Sequence, residues 1–270
     1  MKTNYLYNEN CIDTMLRMEA NFIDLTVTSP PYDNLRTYNG YSFDWKAIIK
    51  ELYRVTKEGG VVVWVVGDAT IKGSETGTSF RQALYFMECG FNLHDTMIYN
   101  KQAAFPPQNR YYQDFEYMFV FSKGKPNKFN ALMQKKAFET LKRQDEKKRN
   151  NHHNKDKRKD GRKSSHKLTT DFRIKTNIWR YTVGWATNKG SVAFKHPAIF
   201  PEQLASDHIT SWSNEGDLVY DCFMGSGTTA KMAIINKRKW IGSEMSSEYC
   251  EIVHERLKQF DNDIFLNDNE

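Results

Sequence analysis

Gly216-Asp217-Leu218-Val219-Tyr220-Asp221-Cys222-Phe223-Met224-Gly225-Ser226-Gly227-Thr228-Thr229 is the stretch that decides the fold. Leu218, Val219 and Tyr220 make a short apolar run, which predicts a buried strand. Gly225 and Gly227 then permit a sharp turn, and Ala230, Met232, Ala233, Ile234 and Ile235 carry a helix onward from Thr228. Strand, glycine turn and helix form a cradle for a nucleotide-type ligand. The missing Cβ atoms let a ligand approach the backbone, and N–H groups at the helix start face it. Asp221, at the strand end, offers acceptors to amines or hydroxyls. The motif is not a Walker loop, because no Gly-Lys-Ser/Thr follows. Nor is it the dinucleotide fingerprint, since Ala230 stands where the third glycine belongs. Strand-turn-helix units also serve as plain scaffold, so a second signal must name the ligand.

That signal lies about 190 residues upstream. Residues 22–28, rich in β-branched and apolar side chains, read as a strand and run into Ser29-Pro30-Pro31-Tyr32. Two prolines hold the backbone extended and remove two donors, leaving the carbonyls of Ser29 and Pro30 to accept hydrogen bonds. Ser29 adds a hydroxyl and Tyr32 a flat face. Acceptors beside an aromatic plate suit a planar ring bearing an amino group; a strand-ending Pro-Pro turn with a packed tyrosine is the other reading.

The segments around these two signals alternate between strand and helix. Residues 5–7 read as a strand, and Ile12, Met15, Leu16 and Met18 recur at helical spacing. Residues 45–55 form an amphipathic helix stopped by Glu58-Gly59-Gly60, and the continuous apolar run 61–66 suits a central strand covered on both faces. Residues 80–89 read as a helix, 91–100 and 115–121 as strands, 239–244 as a strand and 249–260 as a closing helix. The alternation predicts an α/β fold, a doubly wound, mostly parallel sheet with helices on both faces. Ligands of such sheets bind beyond the carboxyl ends of the strands, where Tyr32 and Gly225 both fall. The loops 38–43 and 105–112, aromatic and polar, either line a ligand pocket or pack as ordinary loops.

Composition bounds the rest. A hydrophobic share of 39% supports a sizeable core in 270 residues, and no apolar run reaches the ~20 residues that span a bilayer. The first residues lack the apolar stretch of a signal peptide. Four scattered cysteines without a C-x-x-C pair fit a reducing cytoplasm and free thiols. Residues 135–167 hold 14 Lys or Arg against five Asp or Glu, a surplus of nine in a chain of net charge +6, so the remainder is net −3. This basic insertion fits a polyanion partner, or a solvated segment with none. His152 and His153 sit in a polar tract and do not indicate a metal.

Taken together, Thr28-Ser29-Pro30-Pro31-Tyr32 and Asp221-Cys222-Phe223-Met224-Gly225-Ser226-Gly227-Thr228-Thr229 resemble the S-adenosylmethionine-dependent DNA amino-methyltransferases. The Pro-Pro-Tyr element precedes the glycine cradle, the order of the permuted β-group. The resemblance implies a Rossmann-like methyltransferase sheet in three parts: a catalytic half over 1–123, a basic target-recognition insertion over 124–180 and a cofactor half over 181–270. It implies catalytic roles for Ser29, Pro30, Pro31 and Tyr32. Cofactor contacts are implied for Asn10, Cys11, Thr28, Phe200, Pro201, Asp221, Cys222, Phe223, Gly225, Gly227, Thr228 and Glu244, with Glu244 reading the ribose. The family's usual Gly-Asp-Cys stands here as Glu9-Asn10-Cys11.

The same resemblance implies the chemistry. The cofactor's sulfonium donates its methyl group directly, in line, to an exocyclic amine, with no metal and no covalent nucleophile. The amine's hydrogens would be held by the Ser29 side chain and the Pro30 carbonyl, keeping the nitrogen lone pair localised. The base flips out of the double-stranded DNA and stacks on Tyr32. In the family the serine form, preceded by Thr, accompanies cytosine N4 and the aspartate form adenine N6, so N4-cytosine is the first expectation and N6-adenine the alternative. A relative that binds nucleic acid but has lost catalysis is a second alternative. The expected setting is a bacterial or phage-encoded cytoplasmic enzyme, monomer or homodimer, with no membrane partner. A cognate restriction endonuclease stays open, with no physical contact implied.

Overall fold

In chain order the elements are β1 (Tyr5–Tyr7), α1 (Cys11–Leu16), β2 (Ile23–Thr28), α2 (Trp45–Val55), β3 (Thr56–Val66), β4 (Thr70–Ile71) and β5 (Ser74–Glu75). Next come α3 (Thr78–Glu88), β6 (Asn92–Asn100), β7 (Phe115–Ser122), β8 (Met133–Lys135), β9 (Phe172–Ile174) and β10 (Ile178–Arg180). The last are α4 (Glu202–Trp212), β11 (Leu218–Asp221), α5 (Thr228–Ile235), β12 (Lys239–Ser243) and α6 (Ser247–Leu257). This computed structural model describes residues 1–31, 43–101, 109–111, 113–136, 171–182 and 201–260. Most of the basic run 135–167, and most of the loops 38–43 and 105–112, lie outside the described residues. Two compact units are present, Met1–Asn130 with Asn177–Glu270, and Ala131–Thr176. In the second, β8 and β9 form an antiparallel pair.

The first unit holds an eight-stranded sheet in the order β1-β12-β11-β2-β3-β7-β6-β10. Five pairings are parallel, and only the two made by β7 are antiparallel. The mostly parallel, doubly wound sheet expected from the alternation of elements is therefore found. Its central strands are apolar on both faces because both are covered. On one face α1, α2 and α3 bring Met15, Ile49, Leu52 and Phe86 to Trp64, Tyr220 and Ile241. Phe86 stacks on Phe121 of β7 at 4.1 Å. On the other face α4 packs on β2, and α5 on β11 and β12.

Local chemistry explains the element ends. Asp44 caps α2, its carboxylate accepting the Ala47 N–H at 3.1 Å, and Ile48, Ile49, Leu52 and Val55 fill the buried stripe. The Gly59-Gly60 pair is not the simple stop expected after α2. It lies inside β3, where the register with β2 jumps from Ile23↔Thr56 to Leu25↔Val61. At this amino edge of the sheet, Asp24 accepts the Leu218 N–H at 3.1 Å and pairs with Lys57 and Lys128. Burial alone would raise this carboxyl's pKa; Lys57, the Leu218 N–H and Lys128 together outweigh burial and hold it below its ordinary value. Leu16, at the end of α1, is exposed, and α4 is a full helix that the sequence reading did not foresee.

Gly227 caps α5 with φ +81°, and an added Cβ would lie 3.0 Å from Val253 of α6. Gly227→Ala is therefore expected to lower unfolding free energy by about 1–2 kcal/mol from the left-handed backbone alone. The crowded helix contact adds to that cost, and the shift in denaturant midpoint measures the sum.

Candidate active site

β2 and β11 are parallel neighbours, so their carboxyl ends finish side by side. Thr28 closes β2 and Asp221 closes β11, and both are buried. Thr28 Oγ1 donates to Asp221 Oδ1 at 2.6 Å, joining residues 193 positions apart. The Phe223 N–H donates to the same oxygen at 3.0 Å, and Thr229 adds a side-chain hydrogen bond to this carboxylate. Ser29, half-buried, and Pro30, buried, follow directly from Thr28, so the Ser-Pro-Pro element starts beside the glycine turn. Cys222 is buried and its thiol contacts Thr28 Oγ1 at 3.6 Å. Burial pushes that thiol well above its ordinary pKa, which removes it as a nucleophile.

The glycine turn differs from a simple N–H cradle. The Gly225 N–H donates to Glu244 Oε2 at 2.9 Å, and the Gly227 N–H to Met224 O at 2.9 Å. Both glycine donors are therefore used inside the protein. Glu244, just past β12, also accepts the Ser246 N–H at 2.9 Å. Its backbone is fixed by Tyr7 O, which accepts the Glu244 N–H at 3.0 Å, and by Asn8 Nδ2, which donates to Glu244 O at 2.9 Å. The Phe223 ring meets Phe43 and Trp64 edge-on, at 5.6 and 6.1 Å. Asp68, beyond β3, instead caps α3, accepting the Ser79 N–H at 2.9 Å.

Burial is the first cause of the raised pKa of both Asp221 and Glu244, partly offset by the hydrogen bonds they accept. Among the described residues neither carboxylate has a cationic partner. Two shielded carboxylates without counter-ions at one strand edge fit a cationic ligand that also carries hydroxyls.

Other expected residues fall near or outside this cluster. Asn10 caps α1, its oxygen accepting the Ile12 N–H at 2.9 Å, and Cys11 is buried with its thiol pushed up to about 12. Pro201 precedes α4, and Thr228 begins α5. Tyr32 and Phe200 lie outside the described residues. Sequence reasoning missed Arg256, Glu202 and Asn8. Arg256 had a detectable signal, since it stands among Val253 and Leu257 on the buried face of α6. Among the described residues no group of His, Cys, Asp and Glu could hold a metal ion, and no helix is long and apolar enough to cross a membrane.

Known proteins resemble this chain over most of its length. A family model described as DNA methylase matches residues 23–255. The orphan methyltransferase M.BamHII of Bacillus amyloliquefaciens is 62% identical over 244 residues, covering 88% of this chain and 89% of the relative. The type II methyltransferase M.MthZI of Methanothermobacter thermautotrophicus is 26% identical, covering 96% and 78%. Among solved structures, the PvuII DNA methyltransferase (cytosine-N4-specific) superposes with a TM-score of 0.68 at 20% identity, covering 95% of this chain and 86% of that one. The M1.HpyAVI–SAM complex gives 0.57 at 20% identity, covering 93% and 98%.

Thr28→Val keeps the shape of the side chain and deletes the hydrogen bond to Asp221. A lost bond to a charged group costs about 1.5–3 kcal/mol. The Thr28 bond lowers the Asp221 pKa, so its loss lets burial raise that pKa further. A carboxyl raised in the folded state favours folding while protonated, and that contribution is lost as pH rises through the folded pKa. The destabilisation by Thr28→Val should therefore be larger at neutral pH than in acid, as read from paired denaturant titrations.

Proposed function

The chain belongs to the DNA methylase family, S-adenosylmethionine-dependent transferases that modify amino groups of DNA bases, and within it we propose that this member methylates the exocyclic N4 of cytosine in double-stranded DNA. The observation that supports the reading is the 2.6 Å hydrogen bond from Thr28 to Asp221, which joins the residue before Ser29-Pro30-Pro31 to the first residue of the Asp-Cys-Phe-Met-Gly-Ser-Gly turn. S-adenosylmethionine, when bound, supplies a methyl group carried on a positively charged sulfur. Glu244 would accept the ribose hydroxyls, and Asp221 and Glu244 together would provide a negative field for a cationic ligand. Phe223, with Phe200 and Pro201, would supply its apolar surroundings, and Asn10, Cys11 and Thr228 would complete the contacts.

The acceptor is the chemical difficulty. An exocyclic amine on a pyrimidine spreads its lone pair into the ring. In the proposed site the Ser29 side chain and the Pro30 carbonyl accept the two amino hydrogens and favour a pyramidal nitrogen. Fixed acceptors then meet positive charge as it develops, the reverse of an oxyanion hole. Pro31 keeps the strand end rigid, and Tyr32 stacks the extruded base. The Ser-Pro-Pro-Tyr form preceded by Thr28 favours cytosine over adenine, and the cytosine-N4-specific PvuII enzyme shares the fold. The basic insertion within 124–180 is proposed to contact DNA phosphates. The name orphan, borne by the 62% identical relative, favours action without a companion restriction endonuclease.

Unmethylated DNA incubated with the protein and methyl-labelled cofactor, then hydrolysed to nucleosides, should yield N4-methylcytosine. Recovery of N6-methyladenine would overturn the choice of base, and no incorporation with DNA binding intact would indicate a catalytically inactive relative. Ser29→Ala should reduce kcat by roughly 10²-fold or more, the range for one lost transition-state contact, while leaving cofactor affinity unchanged.

DNA affinity should fall steeply with added salt, as phosphate contacts require. Deleting residues 142–167 should flatten that dependence. An unchanged slope would remove the segment from the interface.

A further inference from the structure

The glycine turn is held from behind by a guanidinium that neither the expected site nor the proposed mechanism uses. Arg256, on α6, is 9% exposed. Its Nη1 donates to Ser226 O at 2.8 Å, Ser226 Oγ at 3.2 Å and Thr228 Oγ1 at 3.0 Å. Its Nη2 pairs with Glu202 Oε1 at 2.5 Å, and the same oxygen pairs with Lys231 of α5 at 2.7 Å. Burial alone would raise the Glu202 pKa, but Lys231 and Arg256 outweigh it and hold the carboxyl below its ordinary value. Glu202 is the first residue of α4, next to Pro201.

The turn needs such a support. Gly225 and Gly227 both have positive φ, so no regular backbone pattern continues through them. Ser226, between them, is 4% exposed, and its carbonyl would otherwise be a buried acceptor without a donor. A planar guanidinium can reach the carbonyl, two hydroxyls and a carboxylate at once; an ammonium cannot. We propose that Arg256 is a positioning residue for the cofactor cradle, locking the turn at Ser226 and Thr228 to the start of α4 through Glu202. The inference rests on the reading of this turn as the S-adenosylmethionine site.

The test compares Arg256→Lys and Glu202→Gln with the wild-type full chain. Hydrogen exchange is measured without cofactor, cofactor Kd by calorimetry, and steady-state kinetics with both substrates. Arg256→Lys should speed exchange across residues 224–229 while leaving β2 and β3 unchanged. Cofactor Kd and KM should rise by roughly ten-fold, the scale of lost charge-assisted hydrogen bonds. At saturating cofactor, kcat should stay within about two-fold. Glu202→Gln, which keeps the guanidinium, should shift exchange and Kd the same way by less, and it carries the test if the lysine variant does not fold. Unchanged exchange and unchanged Kd would overturn the proposal, as would a fall in kcat with Kd unaltered. Wild-type protein that fails to bind the cofactor would instead sink the reading of the site.

Discussion

The hydrogen bond between Thr28 and Asp221 is the constraint on which the carboxyl edge of the sheet depends. It connects two segments that sequence separates by 193 positions and the sheet sets on adjacent strands. A bond from a hydroxyl to a buried carboxylate is stronger than one between neutral groups. Here it is reinforced by the Phe223 N–H on the same oxygen. Because Ser29 and Cys222 each sit one residue beyond this pair, its geometry fixes where the Ser-Pro-Pro element begins relative to the glycine turn. Sheet pairing alone would fix the strands but not the residues that leave them.

Burying Asp221 has a cost that this bonding only partly offsets. Desolvation raises its pKa and that of Glu244, so an ionised cradle works against the fold. The hydrogen bonds to each carboxylate come from hydroxyls and backbone N–H groups, with no nearby cation among the described residues. A positively charged ligand would recover some of that cost on binding. The same reasoning assigns the support of the turn to groups behind it. Arg256 is placed where its charge is spent on Glu202 and on the Ser226 carbonyl.

Much of this was legible in the sequence. The run 61–66 declared a doubly covered strand, and Leu218-Val219-Tyr220 followed by Gly225 and Gly227 declared a strand and turn that β11 and α5 reproduce. Other features were not legible because pairing decides them. Gly59-Gly60 reads locally as a helix stop, yet the strand absorbs it as an irregularity in register with β2. The Gly225 N–H finds its acceptor in Glu244, which comes into reach only when β12 lies beside β11. Helix α4 follows directly on Pro201, and Leu204, Ala205, His208, Ile209 and Trp212 carry its helical spacing. Arg256 carries a local sign in its place beside Val253 and Leu257, but its partners, Ser226 and Glu202, are 30 and 54 positions away and leave none.

The two edges of the sheet handle charge in opposite ways. At the amino edge, Asp24 and Asp217 share Lys128, and Asp24 also takes Lys57. Nearby, the largely buried Lys123 ammonium donates to Asn21 Oδ1, Tyr53 O and Thr56 O. Each charge there has its partners in the folded chain, which suits an edge that only has to stay closed. At the carboxyl edge Asp221 and Glu244 accept hydrogen bonds but have no cationic partner among the described residues, and the Arg256 guanidinium behind the turn pairs with Glu202. Adding a lysine beside Glu244 would lower the cost of its burial, but it would also cancel the negative field proposed to favour a sulfonium ligand. Charges are thus paired at one edge, while at the other two carboxylates keep no cation among the described residues, the arrangement a site would need to favour a positive charge it does not itself contain.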